Sequence, residues 1–141
     1  MDLNEKTIDR TVIYNGKIVD VEIHTVTLPN GETSTRELVY HNGAVAVCAL
    51  TPKKEVVLVK QYRKPVEKPL LEIPAGKLED DEDRVEAAKR ELEEETGYIA
   101  KELTHVVDMY GSPGFCDNKE IEDAKTIIAL QHLLLNYNHS K

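Results

Sequence analysis

The sequence predicts a single α/β domain spanning residues 1–141, and two patterns lead to that prediction. The first sixty residues are rich in Val, Ile, Thr and Tyr and are interrupted by turn-forming dipeptides, which is typical of consecutive strands. An acidic segment with helical spacing follows, and a second helical pattern lies near the end of the sequence. The sequence contains no internal repeat and no low-complexity linker. Strands followed by helices around one core predict an α/β sandwich.

Five strands are predicted in the first part of the chain. The strands at residues 12–14, 17–27 and 35–40 are separated by Asn15-Gly16 and by Pro29-Asn30-Gly31, which favour tight turns. Residues 44–50 and 56–61 alternate less, so we expect them to be buried strands. Residues 65–74 are expected to form a connector with a short apolar centre.

The clearest helical pattern covers residues 83–96. An aspartate within residues 80–83 is suited to cap its start, and Gly97 is suited to end it in a left-handed conformation. The predicted buried stripe of this helix consists of Val85, Ala88 and Leu92. A strand at residues 104–110, a turn at 111–114 and a second helix at 123–136 complete the predicted elements.

Charge and composition exclude several classes of partner. The formal net charge of −8 argues against binding to a nucleic-acid backbone. No apolar run approaches the roughly 20 residues that a membrane-spanning helix needs, so we expect no membrane segment. Cys48 and Cys116 are too few for a disulfide framework, and the first residues do not resemble a signal peptide. These features predict a cytoplasmic protein.

Most of the net charge lies in one segment. Residues 72–95 contain eleven acidic and four basic side chains, which gives −7 of the −8. A solvated helix face is the simplest interpretation of such a run, and a carboxylate cluster that binds divalent cations is the alternative. Glu91, Glu94 and Glu95 are spaced to project from one helical face, where like charges repel by about 0.2–0.5 kcal/mol per pair. A bound Mg²⁺ or Mn²⁺ would neutralise that repulsion. Arg90 lies among Glu86, Glu93 and Glu94 and is expected to hold those carboxylates in fixed rotamers.

The acidic segment has the form Gly-x5-Glu-x7-Arg-Glu-apolar-x-Glu-Glu-x-Gly-apolar, from Gly76 to Tyr98. It is identified as a Nudix box that matches at every charged and glycine position, with Tyr98 in place of the usual aliphatic residue. Several flanking segments resemble the bacterial ADP-ribose pyrophosphatases of the Nudix hydrolase family. They are Arg36-Glu37, Gln-Tyr-Arg-Lys-Pro at 61–65, Leu-Glu-Ile-Pro-Ala-Gly at 71–76, Gly-Ser-Pro-Gly-Phe at 111–115 and Asp-Ala-Lys-Thr at 123–126.

This resemblance implies a fold, an activity and a set of roles. The fold is an α/β/α sandwich with a mixed sheet, usually in a homodimer to which the N-terminal strands, here residues 1–42, contribute, while 43–141 form the Nudix core. The activity is metal-dependent hydrolysis of ADP-ribose to AMP and ribose 5-phosphate. The catalytic and metal-binding positions that match are Glu82, Glu91, Glu94, Glu95 and the carbonyl of Ala75, with Arg90 supporting them. The matching substrate-binding positions are Arg36, Arg63, Glu72, Ser112 and Gly114.

The sequence departs from the family pattern after residue 117. Relatives continue there with strands and an acidic loop that supplies the proposed catalytic base, whereas this chain enters its last helix almost directly. On the order of 40 residues are missing at ordinary element lengths. A natural or artificial deletion would shorten the fold before that helix, and a disordered stretch omitted from the sequence is the alternative. Glu94, Glu120 and Glu122 are the alternative candidates for the base.

Three functions remain open on the sequence alone. The first is the ADP-ribose pyrophosphatase just described, with Mg²⁺ as the expected cofactor and Mn²⁺ as the alternative. The second is a Nudix hydrolase for another nucleoside diphosphate derivative, since the box binds the diphosphate rather than its substituents. The third is a catalytically silent nucleotide-binding domain, which the shortened region favours and the intact carboxylate set opposes.

Overall fold

The computed structural model describes residues 2–108, residue 114 and residues 124–137. These residues form two compact units, one containing residues 2–42 and the other containing residues 43–108 and 124–137. Within the described ranges, no helix combines the length and the hydropathy needed to span a membrane.

The first unit is a three-stranded antiparallel sheet. Its strands are β1 (Lys6–Asn15), β2 (Asp20–Thr27) and β3 (Thr33–Tyr40), in that spatial order. The three predicted strands are confirmed, but β1 begins six residues earlier than the hydrophobic pattern indicates. Its polar N-terminal half is a strand because it pairs with β2 along its whole length. Residues 17–19 belong to the turn instead, where the Gly16 amide donates to the Val19 carbonyl at 3.1 Å.

The second unit contains two antiparallel strand pairs. Strands β4 (Ala44–Ala46) and β7 (Ala75–Lys77) form one pair, and β5 (Val59–Arg63) and β6 (Lys68–Glu72) form the other. The two predicted strands are therefore present but shorter, and the expected burial is wrong: β4 is half-buried and alternate residues of β5 are exposed. Between these strands, Leu50 and Val56 form an isolated antiparallel bridge. All strand pairs in the described residues are antiparallel.

The prediction of a connector at residues 65–74 is wrong. A 3-10 turn, Lys64–Val66, with Glu67 in the left-handed region at φ 51°, reverses the chain, and β6 then pairs with β5. Lys68 and Pro69 give little local indication of a strand. The strand forms because β5 supplies the hydrogen-bonding partner.

Two helices complete the second unit, α1 (Arg84–Thr96) and α2 (Ala124–Tyr137). The predicted caps of α1 are confirmed: the Asp83 carboxylate accepts from the amides of Val85 and Glu86 at 2.9 and 3.1 Å, and Gly97 ends the helix at φ 74°. The α1 caps therefore follow directly from local sequence.

The predicted stripe on α1 is only partly correct. Val85 is 48% exposed, whereas Ala87 and Leu92 are buried. The reason is that α1 packs against β4 and β7, which cover the side of the helix that carries Ala87. The predicted strand at 104–110 is also wrong over residues 104–108, which form no regular element. The rest of that strand lies outside the described residues.

Candidate active site

The candidate site is centred on the contact between α1 and the backbone of β7. Glu91 and Glu95 lie one helical turn apart on α1, and both are half-buried. The Ala75 amide donates to Glu95 Oε2 at 3.0 Å. The Glu91 carboxylate lies directly over Gly76, where a β-carbon would come within 1.9 Å of Glu91 Cδ. Gly76 is therefore required for this close approach, because any side chain would occupy the position of the carboxylate.

A second group holds Glu95 through its other carboxylate oxygen. Gln61 on β5 donates from its side-chain amide to Glu95 Oε1. Glu95 is thus hydrogen-bonded through both oxygens, one to the β7 backbone and one to a side chain of β5. Gln61 falls within one of the segments that resemble the family, but the sequence alone assigned it no role.

Arg90 holds the other carboxylate. Its guanidinium makes two hydrogen bonds to Glu82, at 2.8 and 2.9 Å, and donates to Glu91 Oε1 at 2.7 Å. These contacts raise the pKa of Arg90. The hydrogen bonds from Arg90, and then the one from the Glu79 amide, lower the pKa of Glu82 to about 2. Arg90 therefore contacts Glu82, Glu91 and Glu94, and not the predicted Glu86 and Glu93. Glu82 fixes the orientation of its guanidinium.

The shifted pKa of Glu82 predicts a pH-dependent stability. Because the folded-state pKa lies below the ordinary value, ionised Glu82 stabilises the fold fully above about pH 4.5, and this contribution is lost as the pH falls toward about 2. We expect the melting temperature of Glu82→Gln to lie below that of the wild type at pH 6, and the difference to shrink steadily between pH 4.5 and pH 2. Thermal denaturation followed by circular dichroism over that range measures it. A difference that stays constant with pH would contradict the assignment.

Glu94 does not join the other two glutamates. Its side chain is 61% exposed, against 13% for Glu91, and its recorded contact is with Arg90 at 3.4 Å. Among the residues that the structure describes, no three His, Cys, Asp or Glu side chains form a ready-made metal cluster. Two carboxylates and a nearby backbone carbonyl nevertheless suit Mg²⁺, which commonly takes one or two protein carboxylates and completes its octahedron with water and phosphate oxygens. The residues present therefore fit a hard divalent cation.

An arginine and a buried glutamate lie along the same hairpin. Arg63 on β5 donates to both oxygens of Glu72 on β6, each at 2.7 Å. The Glu72 side chain is only 3% exposed, whereas Arg63 is 41% exposed. Arg63 and Gln61 are two residues apart on a strand and so face the same side of β5. The two hydrogen bonds to Glu72 therefore hold the partly exposed guanidinium of Arg63 on the side of β5 that carries Gln61.

The segment before Gly76 is fixed by contacts from two other parts of the unit. The Ile73 amide donates to the buried Thr126 hydroxyl of α2 at 3.1 Å, and the Pro74 carbonyl accepts from the Val47 amide at 2.8 Å. Sequence reasoning gave Thr126 no role, although it closes one of the segments that resemble the family. A hydroxyl on a helix gives no local signal of a distant backbone partner.

The remaining predicted positions are Arg36, Ser112 and Gly114. Arg36 belongs to the first unit, where Glu5 accepts from its Nε at 2.8 Å and raises its pKa. Gly114 is exposed in a turn, and Ser112 lies outside the described residues. Of the predicted set, the structure brings together Ala75, Glu82, Arg90, Glu91 and Glu95.

Comparison with known proteins identifies the class. The model of the NUDIX domain matches residues 40–136, and the chain belongs to this family. Its fold is shared with a solved ADP compounds hydrolase, with a TM-score of 0.75 and 23% identity, over 84% of this chain and 65% of that one. The predicted Nudix-type α/β fold is confirmed.

Three curated proteins are similar in sequence to most of this chain. An ADP-ribose pyrophosphatase of Bacillus subtilis is 54% identical over 115 residues, which cover 82% of this chain and 62% of that protein. A methanol dehydrogenase activator of Bacillus methanolicus is 52% identical, over 80% of this chain and 61% of that protein. An ADP-ribose pyrophosphatase of Mycobacterium tuberculosis is 37% identical, over 79% and 55%. The chain thus spans between 55% and 62% of the length of these relatives.

Proposed function

We propose that this chain hydrolyses the pyrophosphate bond of ADP-ribose, giving AMP and ribose 5-phosphate, with a divalent cation as cofactor. The observation that carries the proposal is the convergence of Glu91 and Glu95 on the Ala75–Gly76 backbone. The names of two of the curated relatives support ADP-ribose as the substrate.

Glu91, Glu95 and the carbonyl of Ala75 are the groups that we propose hold the cation, with Mg²⁺ preferred and Mn²⁺ as the alternative. Their hard oxygen atoms favour these ions over softer metals. When bound, the cation offsets the charge of the diphosphate and lowers the pKa of a coordinated water. Arg90 keeps Glu91 in place, and Glu82 keeps Arg90 in place.

Arg63 supplies a fixed positive charge for the diphosphate. Its guanidinium is oriented by Glu72, and forked hydrogen bonds from a guanidinium suit phosphate oxygens. We propose that Arg36 binds substrate as well, and that Ser112 and Gly114 belong to the substrate wall. These roles follow from the family pattern.

The chemical step is attack of water on one phosphorus atom. The new bond joins the water oxygen to that phosphorus, and the bridging oxygen leaves with the other phosphate. A carboxylate takes the proton of the attacking water, and Glu94, which is exposed on the helix that carries Glu91 and Glu95, is the proposed base among the described residues.

We also propose that the chain is one Nudix domain that works as a cytoplasmic homodimer. Strand β1 is an edge of its sheet, and its Val12, Ile13 and Tyr14 side chains are more than half exposed, which supports a role of residues 1–42 in dimerisation. The net charge of −8 supports a small-molecule substrate rather than nucleic acid.

The decisive experiment measures AMP release from ADP-ribose with and without Mg²⁺, using protein whose intact mass matches the 141-residue sequence. Release that depends on the metal is the expected result. Hydrolysis of other nucleoside diphosphate sugars with ADP-ribose left intact would contradict the substrate. Stabilisation by ADP-ribose without any turnover would instead identify a silent nucleotide-binding domain.

A further inference from the structure

We propose that Gln61 is a positioning residue that holds the Glu95 carboxylate in the orientation in which it binds the cation. This inference rests on the proposed function, because it assigns Gln61 a part in the same site. Gln61 lies in the middle of β5, opposite Leu70 of β6, so its backbone is fixed by the hairpin. Its side-chain amide contacts Glu95 across 34 residues of sequence.

The two hydrogen bonds to Glu95 define its orientation. Gln61 donates to Oε1, and the Ala75 amide donates to Oε2 at 3.0 Å. One hydrogen bond would leave the carboxylate free to rotate about that contact, whereas one on each oxygen fixes both its position and its plane. A carboxylate has about four lone-pair sites, two on each oxygen. Each oxygen of Glu95 accepts one of these hydrogen bonds and can still bind a cation with its other lone pair. Hydrogen bonds from groups that do not themselves touch the metal orient metal ligands in other proteins.

A neutral donor suits this position for an electrostatic reason. Glu91 is held by the cationic Arg90, whose charge offsets part of the attraction between that carboxylate and a metal. Gln61 orients Glu95 without adding a charge, so the full negative charge of Glu95 remains available. A lysine or arginine at residue 61 would orient the carboxylate but would also repel the cation.

The test compares Gln61→Met with the wild type. Methionine keeps the length of the side chain and removes its donors. The probe is Mn²⁺ alone, titrated by isothermal calorimetry, so the measurement needs no turnover. We expect Mn²⁺ affinity to fall about 10–100-fold and kcat for ADP-ribose to fall with it, while KM stays within about twofold. Gln131→Met is the matched control, because Gln131 is exposed on α2 and is the only other glutamine of the chain.

A double-mutant cycle separates positioning from a general structural role. Gln61→Met and Glu95→Ala are combined, because alanine removes the acceptor of the Gln61 hydrogen bond, and the free energy of unfolding without metal is measured for all four proteins. A direct contact predicts a coupling, whereas independent structural effects predict additivity. Additivity, or Mn²⁺ affinity of Gln61→Met equal to that of the wild type, would overturn the proposal.

Different results would contradict the role of Gln61 and the proposed function. If the wild type binds Mn²⁺ but releases no AMP, the proposed function is wrong, and the calorimetric comparison still decides the role of Gln61. If Gln61→Met matches the wild type in Mn²⁺ affinity and in AMP release, the positioning role is wrong and the proposed function stands.

Discussion

Replacing Glu95 by glutamine is expected to lower metal-dependent turnover by roughly a thousandfold while the fold persists. A metal ion contributes several kcal/mol of transition-state stabilisation, and about 1.4 kcal/mol corresponds to each tenfold in rate. The substitution removes the negative charge that Glu95 places at the Ala75 amide. The amide oxygen of the new side chain still accepts from that amide, so the local hydrogen bond is kept.

The control for this variant is Glu93→Gln, which removes the same charge from an exposed position on the same helix. Steady-state kinetics and melting temperature with and without Mg²⁺ are measured for both proteins. We expect Glu93→Gln to resemble the wild type, and Glu95→Gln to lose both turnover and most of the stabilisation by Mg²⁺. Equal turnover in the two variants would remove Glu95 from the metal site.

The features that the sequence predicted well depend on local interactions. The caps of α1 are predictable because Asp83 bonds amides two and three residues away, and Gly97 needs only its own conformational freedom. The Nudix box is likewise a contiguous pattern, on the end of β7, a turn and one helix. Local signals of this kind do not depend on how the rest of the chain packs.

The features that the sequence predicted poorly depend on distant partners. Strand β6 begins at Lys68, next to Pro69, and forms because β5 pairs with it. The buried side of α1 is decided by the strands that cover it, so Val85 is exposed although helical spacing predicted its burial. Gln61 reaches a residue 34 positions away, which no local pattern encodes.

The need for a distant partner also explains why the sequence could not distinguish among the glutamates of the box. Their spacing of three and four residues places Glu91, Glu94 and Glu95 near one another on a helix, but spacing alone does not say which of them meets the β7 backbone. The structure turns Glu91 and Glu95 toward it and leaves Glu94 exposed. Glu91 can approach β7 because Gly76 has no side chain and leaves space for the carboxylate. Gly76 and Glu91 thus act together although they lie in different secondary-structure elements.

Replacing Gly76 by alanine tests this arrangement directly. The new β-carbon would lie within about 2 Å of the Glu91 carboxylate, so the carboxylate must move away. Its atoms are the far end of a flexible side chain, and we therefore expect the fold to persist with a melting temperature close to that of the wild type. A misplacement of about 1 Å in a catalytic group can cost about 10²-fold in rate, so we expect turnover to fall by at least that factor.

A second substitution tests whether Gly76→Ala acts by displacing the Glu91 carboxylate or by destabilising the fold. Aspartate at residue 91 is shorter by one methylene, so Gly76→Ala combined with Glu91→Asp relieves the collision. We expect this double variant to recover Mg²⁺-dependent stabilisation that Gly76→Ala alone has lost, measured as the shift in melting temperature on adding Mg²⁺. Wild-type turnover in Gly76→Ala would show that Glu91 works without its close approach to β7. A melting temperature that falls in parallel with activity would assign Gly76 to stability alone, because the collision would then be propagating into the backbone instead of ending at one carboxylate.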